Sequence, residues 1–250
     1  MLIVNCDDLG MNEDIDVAVV ESIEVGIARS CSLMAVGPSA RHAVDLLRRH
    51  PGITFGIHLT LVRDSVADQW GPLAEGVPSL LDDTGRLFTA DERATLLARA
   101  RLDEVEVEFR AQIDAVADGG RDDILELTGT LAAGYGLAVR VWLDEGRRRM
   151  RRRRGLPVTD NPFLDSFSVD VDTKPARYAR LLRDLPPGLS EWAVHPSVAD
   201  HRSGHGGWQV RRSDYEFLIS PRARELVDGE QITVIDYRPL QEVWASSTSR

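Results

Sequence analysis

The sequence predicts an α/β fold in which parallel strands alternate with helices. Short apolar runs bounded by aspartate and glycine, as at residues 2–6, are typical of buried parallel strands. Amphipathic segments with helix caps follow these runs, which argues for parallel strands joined by right-handed crossovers. A chain of 250 residues, 43% of them hydrophobic, suits a single large domain spanning residues 1–250.

The first helix is predicted directly after the first strand. Asn12 can cap this helix, and Gly26 is placed to end it. Apolar residues repeat between them at four-residue spacing, as Ile15, Val19 and Ile23.

The next unit repeats this order. Residues 30–36 are a predicted strand, and Ser39 can cap a helix along residues 40–50. Residues 54–61 are then the third predicted strand. The inward positions of the helix are Ala43, Leu46 and Leu47.

Residues 62–88 form a long segment rich in Gly, Pro and Asp. In α/β proteins such loops build lids and substrate walls, and a plain insertion is the open alternative. Thr89 and Glu92 form a predicted capping box. A long helix, predicted to end at Gly119–Gly120, has one face marked by Leu102, Val105, Phe109, Ile113 and Val116.

Three more strands are predicted, at residues 137–143, 191–196 and 232–238. The segments TKPARYARLLRDL and SPRARELV are predicted helices, because Pro175 and Pro221 suit their first turns.

Charge and composition exclude several classes of function. With 30 Lys+Arg against 40 Asp+Glu, the net charge of −10 disfavours nucleic acid as a partner. Cys6 and Cys31 lie in predicted strands without a CxxC motif, which fits a cytoplasmic protein without disulfides. We expect neither a leader nor a membrane span. The arginine-rich run at residues 147–155 is interpreted as a solvated face or mobile loop, and a local patch for an anion or nucleic acid is the open alternative.

Two adjacent aspartates, Asp7 and Asp8, end the first predicted strand. Neighbouring strand side chains face opposite ways, and a buried carboxylate needs a partner. At the carboxyl edge of a parallel sheet, both groups can reach the crevice where such folds bind ligands. A turn in which Asp8 caps the next helix is the open alternative.

Two histidines occupy similar positions. His58 lies in the third predicted strand, and His195 is the last residue of a later one, directly before a proline. Each alone could be a hydrogen-bonded core residue, but with the aspartates they could hold a divalent ion and move protons. No nucleotide-binding motif is present. Weaker candidates, on a helical surface or in a glycine-rich loop, are His42, His50, His201 and His205.

Motifs spread over most of the chain resemble those of the YdjC-like carbohydrate deacetylases. They are VNCDDLGMN, GIARSCSLMAVGPSARHAVDLLRRHPGITFGIHLTL, LLDDTGRLFTADE, YGLAVR and WAVHPS. The resemblance implies a (β/α) barrel of the glycoside hydrolase/deacetylase type, distorted or incomplete. It further implies hydrolysis of the N-acetyl group of an amino sugar with one divalent metal ion, magnesium or zinc.

By this resemblance Asp7 is the general base, Asp8 and His58 are metal ligands, and His195 acts near the leaving amine. Amide hydrolysis requires a polarised carbonyl, a nucleophile made from water and a proton for the nitrogen, and these groups could supply all three. The expected partner is a small-molecule carbohydrate. The sequence is compatible with a homodimer, although no motif specifies the oligomeric state.

One expected strand is absent from the sequence after Gly120. The family carries there a T-H-L-D-S-H strand whose last histidine completes the metal site, whereas this chain reads GGRDDILEL. Residues with helical spacing follow, as Ile124, Leu127, Leu131 and Tyr135. Either the protein has lost the strand, or the sequence omits a segment between Arg121 and Asp122. A site with only two protein ligands is expected to bind a metal ion weakly.

Two functions fit these residues. The first is metal-dependent deacetylation of an amino sugar or a related small amide. The second is a catalytically silent relative that binds a carbohydrate or metabolite in the same barrel mouth. Metal content separates them, because only the enzyme requires a bound divalent ion.

Overall fold

The computed structural model describes residues 1–115, 138, 140, 157–200 and 207–248. The described strands are β1 (Leu2–Leu9), β2 (Ser30–Leu33), β3 (Thr54–Ile57), β4 (Val62–Arg63), β5 (Phe88–Thr89), β6 (Leu164–Asp165), β7 (Ser190–Val194) and β8 (Val234–Ile235). The described helices are α1 (Glu13–Glu24), α2 (Ala40–Arg49), α3 (Arg93–Arg99), α4 (Leu102–Asp114), α5 (Lys174–Arg183), α6 (Trp208–Leu218), α7 (Pro221–Gly229) and α8 (Arg238–Thr248).

A parallel sheet lies at the centre of the described fold. Its strand order is β3-β2-β1-β7-β6, and β8 pairs with the start of β1. All of these pairings are parallel, so the carboxyl ends of the strands meet at one edge. The predicted α/β class, a parallel sheet combined with helices, is confirmed, and this strand order is compatible with a distorted or incomplete (β/α) barrel.

β1 is almost wholly buried, with neighbours on both sides. Leu2, Val4, Cys6 and Leu9 are fully buried and belong to the main hydrophobic core. α1 packs beside it and begins where predicted, since the Asn12 side chain accepts a hydrogen bond from the Ile15 N–H.

Residues 62–88 fold as a packed unit rather than as an open loop. β4 and β5 form a small parallel sheet, and Arg63 links the ends of the segment by donating to Leu87 O and to Asp82. A second hydrophobic core covers this unit and includes Trp70, Val77, Leu80, Leu87, Phe88, Leu96, Val105 and Phe109.

Several predicted boundaries differ from the structure. The capping box of Thr89 and Glu92 forms, but the helical sequence after it divides into α3 and α4 because Arg101 has extended backbone geometry. The second and third predicted strands end earlier, at Leu33 and Ile57. The strand predicted at residues 232–238 is shorter in the structure and covers only Val234–Ile235.

Some predictions fall on residues outside the described ranges. These are the helix end at Gly119–Gly120, the helical spacing from Ile124 to Tyr135, the junction of Arg121 and Asp122, most of the strand at residues 137–143, and the arginine-rich run. Among the described helices, none has the length and apolar character needed to cross a membrane.

Candidate active site

The two aspartates lie where β1 leaves regular strand geometry. The pairing register between β1 and β2 shifts between Cys6 and Leu9, as in a β-bulge. Asp8 adopts a left-handed backbone with φ of 67°. This conformation is uncommon for a residue with a Cβ and is found often at functional sites. The bulge allows two consecutive carboxylates to contact groups at the same edge of the sheet.

The two predicted histidines follow strands on either side of β1 at that edge. His58 comes directly after β3, and His195 directly after β7. His58 Nδ1 lies 3.6 Å from Asp8 Oδ1, and His195 Nε2 lies 4.0 Å from Asp7 Oδ2. The structure therefore brings together the four residues that the sequence singled out.

Asp7 is a buried carboxylate with several donors. Arg140 binds it through both guanidinium Nη atoms, at 2.6 and 2.9 Å, and Asn5 and Ser32 donate at 2.7 and 3.1 Å. Burial alone would raise the pKa of Asp7, but the Arg140 guanidinium, with help from the nearby histidines, holds that pKa well below its ordinary value. Asp7 is therefore ionised throughout the neutral range.

Asp8 also has an arginine partner. Arg211 Nη2 donates to Asp8 Oδ2 at 2.6 Å, which leaves Oδ1 facing His58. Burial would raise the pKa of Asp8, but Arg211 first and then His195 and His58 lower it below the ordinary value. Both neighbouring aspartates are thus carboxylates, each beside its own guanidinium.

Hydrogen bonds hold the two histidine rings. Ser32 Oγ lies 3.1 Å from His58 Nδ1, and Ser166 Oγ lies 2.8 Å from His195 Nδ1. Phe167 packs against the His195 ring with a centroid distance of 4.5 Å while 43% of the phenylalanine remains exposed.

A cavity of about 380 Å³ opens beside this cluster. It gives access to Asp8 and His58 from the side of residues 59–62, and its other walls include Met34, Asp64 and Arg93. A volume of this size accommodates one or a few sugar rings.

Asp8 and His58 fit a divalent ion as a pair of ligands. Metal–oxygen and metal–nitrogen bonds of about 2.0–2.2 Å can bridge the 3.6 Å between Asp8 Oδ1 and His58 Nδ1. Within the described residues, however, no group of three or more His, Cys, Asp or Glu side chains could hold a metal ion. The two substitute ligands considered from the sequence, His201 and His205, lie outside the described ranges.

Sequence reasoning missed the groups that hold the four residues. Arg140 and Arg211 lie far from the aspartates in sequence, and no local pattern pairs them. Ser166 lies in none of the motifs, and the motif that contains Ser32 gives no sign of its contacts. His42 and His50, interpreted as surface residues, are only partly exposed and contact Asp16 and Glu24 of α1.

Comparison with known proteins establishes the family. The family model described as "YdjC-like protein" matches residues 1–122. A carbohydrate deacetylase of Listeria monocytogenes serotype 4a (strain HCC23) is 35% identical, over 96% of this chain and 99% of the relative. The chain belongs to the YdjC-like family. A carbohydrate deacetylase of Brevibacillus brevis is 27% identical with the same coverage.

A solved structure supports the fold of this family member. A crystal structure of an Enterococcus faecalis V583 protein named for cellobiose-phosphate cleavage matches with a TM-score of 0.78 and 24% identity. The match covers 96% of this chain and 98% of that one. The alignment with the Listeria relative spans 256 residues, more than the 250 of this chain, so it includes positions that this YdjC-like chain lacks.

Proposed function

We propose that this chain removes the N-acetyl group from an acetylated amino sugar by attack of a metal-activated water. The observation that carries the proposal is the meeting of Asp7, Asp8, His58 and His195 at the carboxyl edge of the sheet, beside an open cavity. The relatives named carbohydrate deacetylases supply the substrate class. The proposal treats residues 1–250 as one cytoplasmic domain.

The metal ligands in this proposal are Asp8 Oδ1 and His58 Nδ1. A divalent ion bound there would polarise the amide carbonyl and lower the pKa of a water molecule. Ser32 donates its one hydrogen to Asp7, so it contacts His58 Nδ1 through a lone pair and that nitrogen carries a hydrogen. Metal binding at Nδ1 would therefore require loss of this hydrogen and of the Ser32 contact.

Asp7 is the proposed proton acceptor. Its lowered pKa guarantees that it is ionised at neutral pH, although the same shift makes it a weak base. The rate should therefore show no loss from protonation of Asp7 until the pH falls below the ordinary carboxyl range.

His195 is the proposed proton donor to the leaving amine. Its Nε2 lies on the Asp7 side of the ring, whereas Nδ1 is held by Ser166. An imidazole can carry a proton near neutral pH and release it to the nitrogen as the bond to carbon breaks.

Phe167 favours a sugar over a simple amide as the substrate. Its partly exposed ring lies against His195, where the apolar face of a pyranose could pack during reaction.

The test is acetate release from N-acetylglucosamine and its oligomers, with magnesium or zinc added or removed by a chelator. Asp8→Asn should lose metal and activity together, whereas His195→Ala should lose turnover and keep metal. Asp45→Asn is the matched control, because Asp45 is exposed on α2 and its carboxylate pairs with the exposed Arg48, away from the site. Metal-independent acetate release, or strong metal loss in His195→Ala, would contradict these roles.

A second candidate is a catalytically silent carbohydrate-binding protein. The contact of Arg211 with Asp8 favours it, because a guanidinium beside the ligand carboxylate opposes a second cation. This candidate would be supported if the protein binds a sugar but contains no metal after divalent ions have been added to it.

A further inference from the structure

A buried carboxylate lies directly behind the turn that carries Asp8. Asp16 is on α1 and is 0% exposed. Its Oδ1 accepts a hydrogen bond from the backbone N–H of Gly10 at 2.6 Å, and its Oδ2 lies 2.9 Å from His42 Nδ1. The chemistry proposed above uses neither Asp16 nor His42.

The turn at residues 8–10 has a backbone geometry that requires support. Asp8 has φ of 67° and Gly10 has φ of 94°, so both lie in the left-handed region. Glycine adopts this conformation readily, whereas a residue with a Cβ keeps it only where surrounding contacts hold it. Asp8 therefore depends on the contacts of its neighbours for its conformation.

The chain after β2 packs tightly over one side of this turn. The N–H groups of Met34 and Ser39 donate to the carbonyl oxygens of Leu9 and Gly10, at 2.8 and 3.0 Å. A Cβ on Gly37 would lie 2.1 Å from the Gly10 oxygen, so the two backbones are in direct contact. These contacts satisfy carbonyl groups of the turn and leave the Gly10 N–H to be paired from another direction.

Asp16 supplies the acceptor for that N–H. Gly10 is buried, and a buried N–H without an acceptor is strongly unfavourable. The 2.6 Å separation is short, as expected when a carboxylate accepts from a backbone amide. His42, whose side chain is 33% exposed, contacts the other carboxylate oxygen and restricts rotation of the group.

The conformation of this turn determines where the Asp8 carboxylate lies. Asp8 Oδ1 is 3.6 Å from His58 Nδ1 in the observed geometry. The Cβ of a residue changes direction when its backbone moves to another region of φ. Relaxation of Asp8 to an ordinary negative φ would therefore carry its carboxylate away from His58.

We propose that Asp16 is a positioning residue that fixes the turn at residues 8–10 and thereby directs the Asp8 carboxylate toward His58. His42 holds Asp16 in the required orientation. The hold on the turn stands on the contacts alone, whereas its consequence for metal binding and turnover rests on the proposed deacetylation.

Amide hydrogen exchange at Gly10, followed by NMR in the ¹⁵N-labelled full chain, tests the contact directly. In the unaltered chain the Gly10 amide should exchange as slowly as the buried amides of β1, because its hydrogen bond opens only with the turn. A Gly10 amide that exchanges as fast as in an unfolded chain would overturn the proposal, whatever the enzymatic activity.

Two substitutions at Asp16 separate the acceptor from the rest of the side chain. Asp16→Asn keeps a carbonyl oxygen for the Gly10 N–H, so the amide should remain protected. Asp16→Ala removes the acceptor, so exchange at Gly10 should accelerate about tenfold or more while amides in the middle of α1 keep their protection. A folded Asp16→Ala protein with unchanged protection at Gly10 would refute the contact.

Zn²⁺ affinity and turnover test the consequence for Asp8. Asp16→Ala should weaken Zn²⁺ binding about tenfold by calorimetry and lower kcat more than it changes KM, whereas Asp16→Asn should stay within about twofold of the unaltered chain. Faster exchange at Gly10 with unchanged Zn²⁺ affinity and kcat would show that Asp16 does not position Asp8.

His42→Ala takes the place of Asp16→Ala if that variant does not fold. It keeps the acceptor but frees its orientation, so exchange at Gly10 and Zn²⁺ affinity should change in the same directions by a smaller factor. No change in either quantity would contradict the proposal.

Asp45→Ala is the matched control, because Asp45 lies on α2 like His42 but is exposed and pairs with Arg48. It should leave exchange at Gly10, Zn²⁺ affinity and kcat unchanged. If the unaltered chain binds no Zn²⁺ and releases no acetate, the proposed function fails, and exchange at Gly10 still decides whether Asp16 holds the turn.

Discussion

Arg140→Gln should destabilise the protein strongly, because this one side chain neutralises two buried carboxylates. Arg140 contacts Asp7 through two Nη atoms and Glu191 through Nε at 2.5 Å. The side chains of Asp7 and Glu191 are 6% and 2% exposed, and that of Arg140 is 23% exposed. With these exposures the contact belongs to the class of buried ion pairs. Removing one partner of such a pair lowers the free energy of unfolding by about 3–5 kcal/mol.

The loss of stability in Arg140→Gln should depend on pH in a defined direction. In the intact protein the lowered pKa of Asp7 contributes stability above the ordinary carboxyl pKa of 3.8, and this contribution is lost as the pH falls through the folded value. Without Arg140, burial dominates and raises the pKa of Asp7 above 3.8. Ionising Asp7 then destabilises the variant as the pH rises. The difference in free energy of unfolding between the intact protein and the variant should therefore be largest near pH 7 and shrink toward pH 4.

Urea unfolding at several pH values measures both effects, with the fluorescence of buried Trp192 contributing to the signal. Arg48→Gln is the control, because its pair with Asp45 is exposed and should contribute less than about 1 kcal/mol. A loss below about 1 kcal/mol for Arg140→Gln at pH 7, or a difference that widens in acid, would refute this reasoning.

Two further changes test the neighbouring groups. Arg211→Gln removes the guanidinium beside Asp8 and should raise the affinity for Zn²⁺ or Mn²⁺ about tenfold, as measured by calorimetry; Arg212→Gln, with its more exposed side chain, should not. An unchanged or weaker affinity in Arg211→Gln would mean that this arginine positions Asp8 for the metal instead of opposing it. Phe167→Ala should raise KM for an N-acetylated sugar several-fold with a smaller effect on kcat, and an unchanged KM would remove Phe167 from the sugar site.

The sequence predicted the elements that local chemistry determines. The apolar run of β1, the Asn12 cap and the Thr89–Glu92 box depend on residues close together in sequence, and all three are present. Because parallel strands end at one edge, the strand positions of Asp7 and His195 were enough to predict that they would meet.

The partners of those residues could not be predicted in the same way. Arg140 reaches Asp7 across 133 positions, and Arg211 reaches Asp8 across 203. Such contacts depend on the packing of whole elements. Arg140 ends the motif YGLAVR, but nothing in that motif identifies Asp7 as its partner. α6, which supplies Arg211, was missed because its buried face includes charged residues rather than a regular apolar stripe.

The most direct test of the proposed chemistry is the turnover of Asp7→Asn at saturating divalent metal, with bound metal measured on the same sample. The change keeps the shape of the side chain and removes its ability to accept a proton. Metal binding should stay close to that of the unaltered chain, while acetate release from N-acetylated chito-oligosaccharides falls by about 10²-fold or more. Asp7→Asn protein that binds metal and releases acetate at the unaltered rate would contradict the central role given to this aspartate.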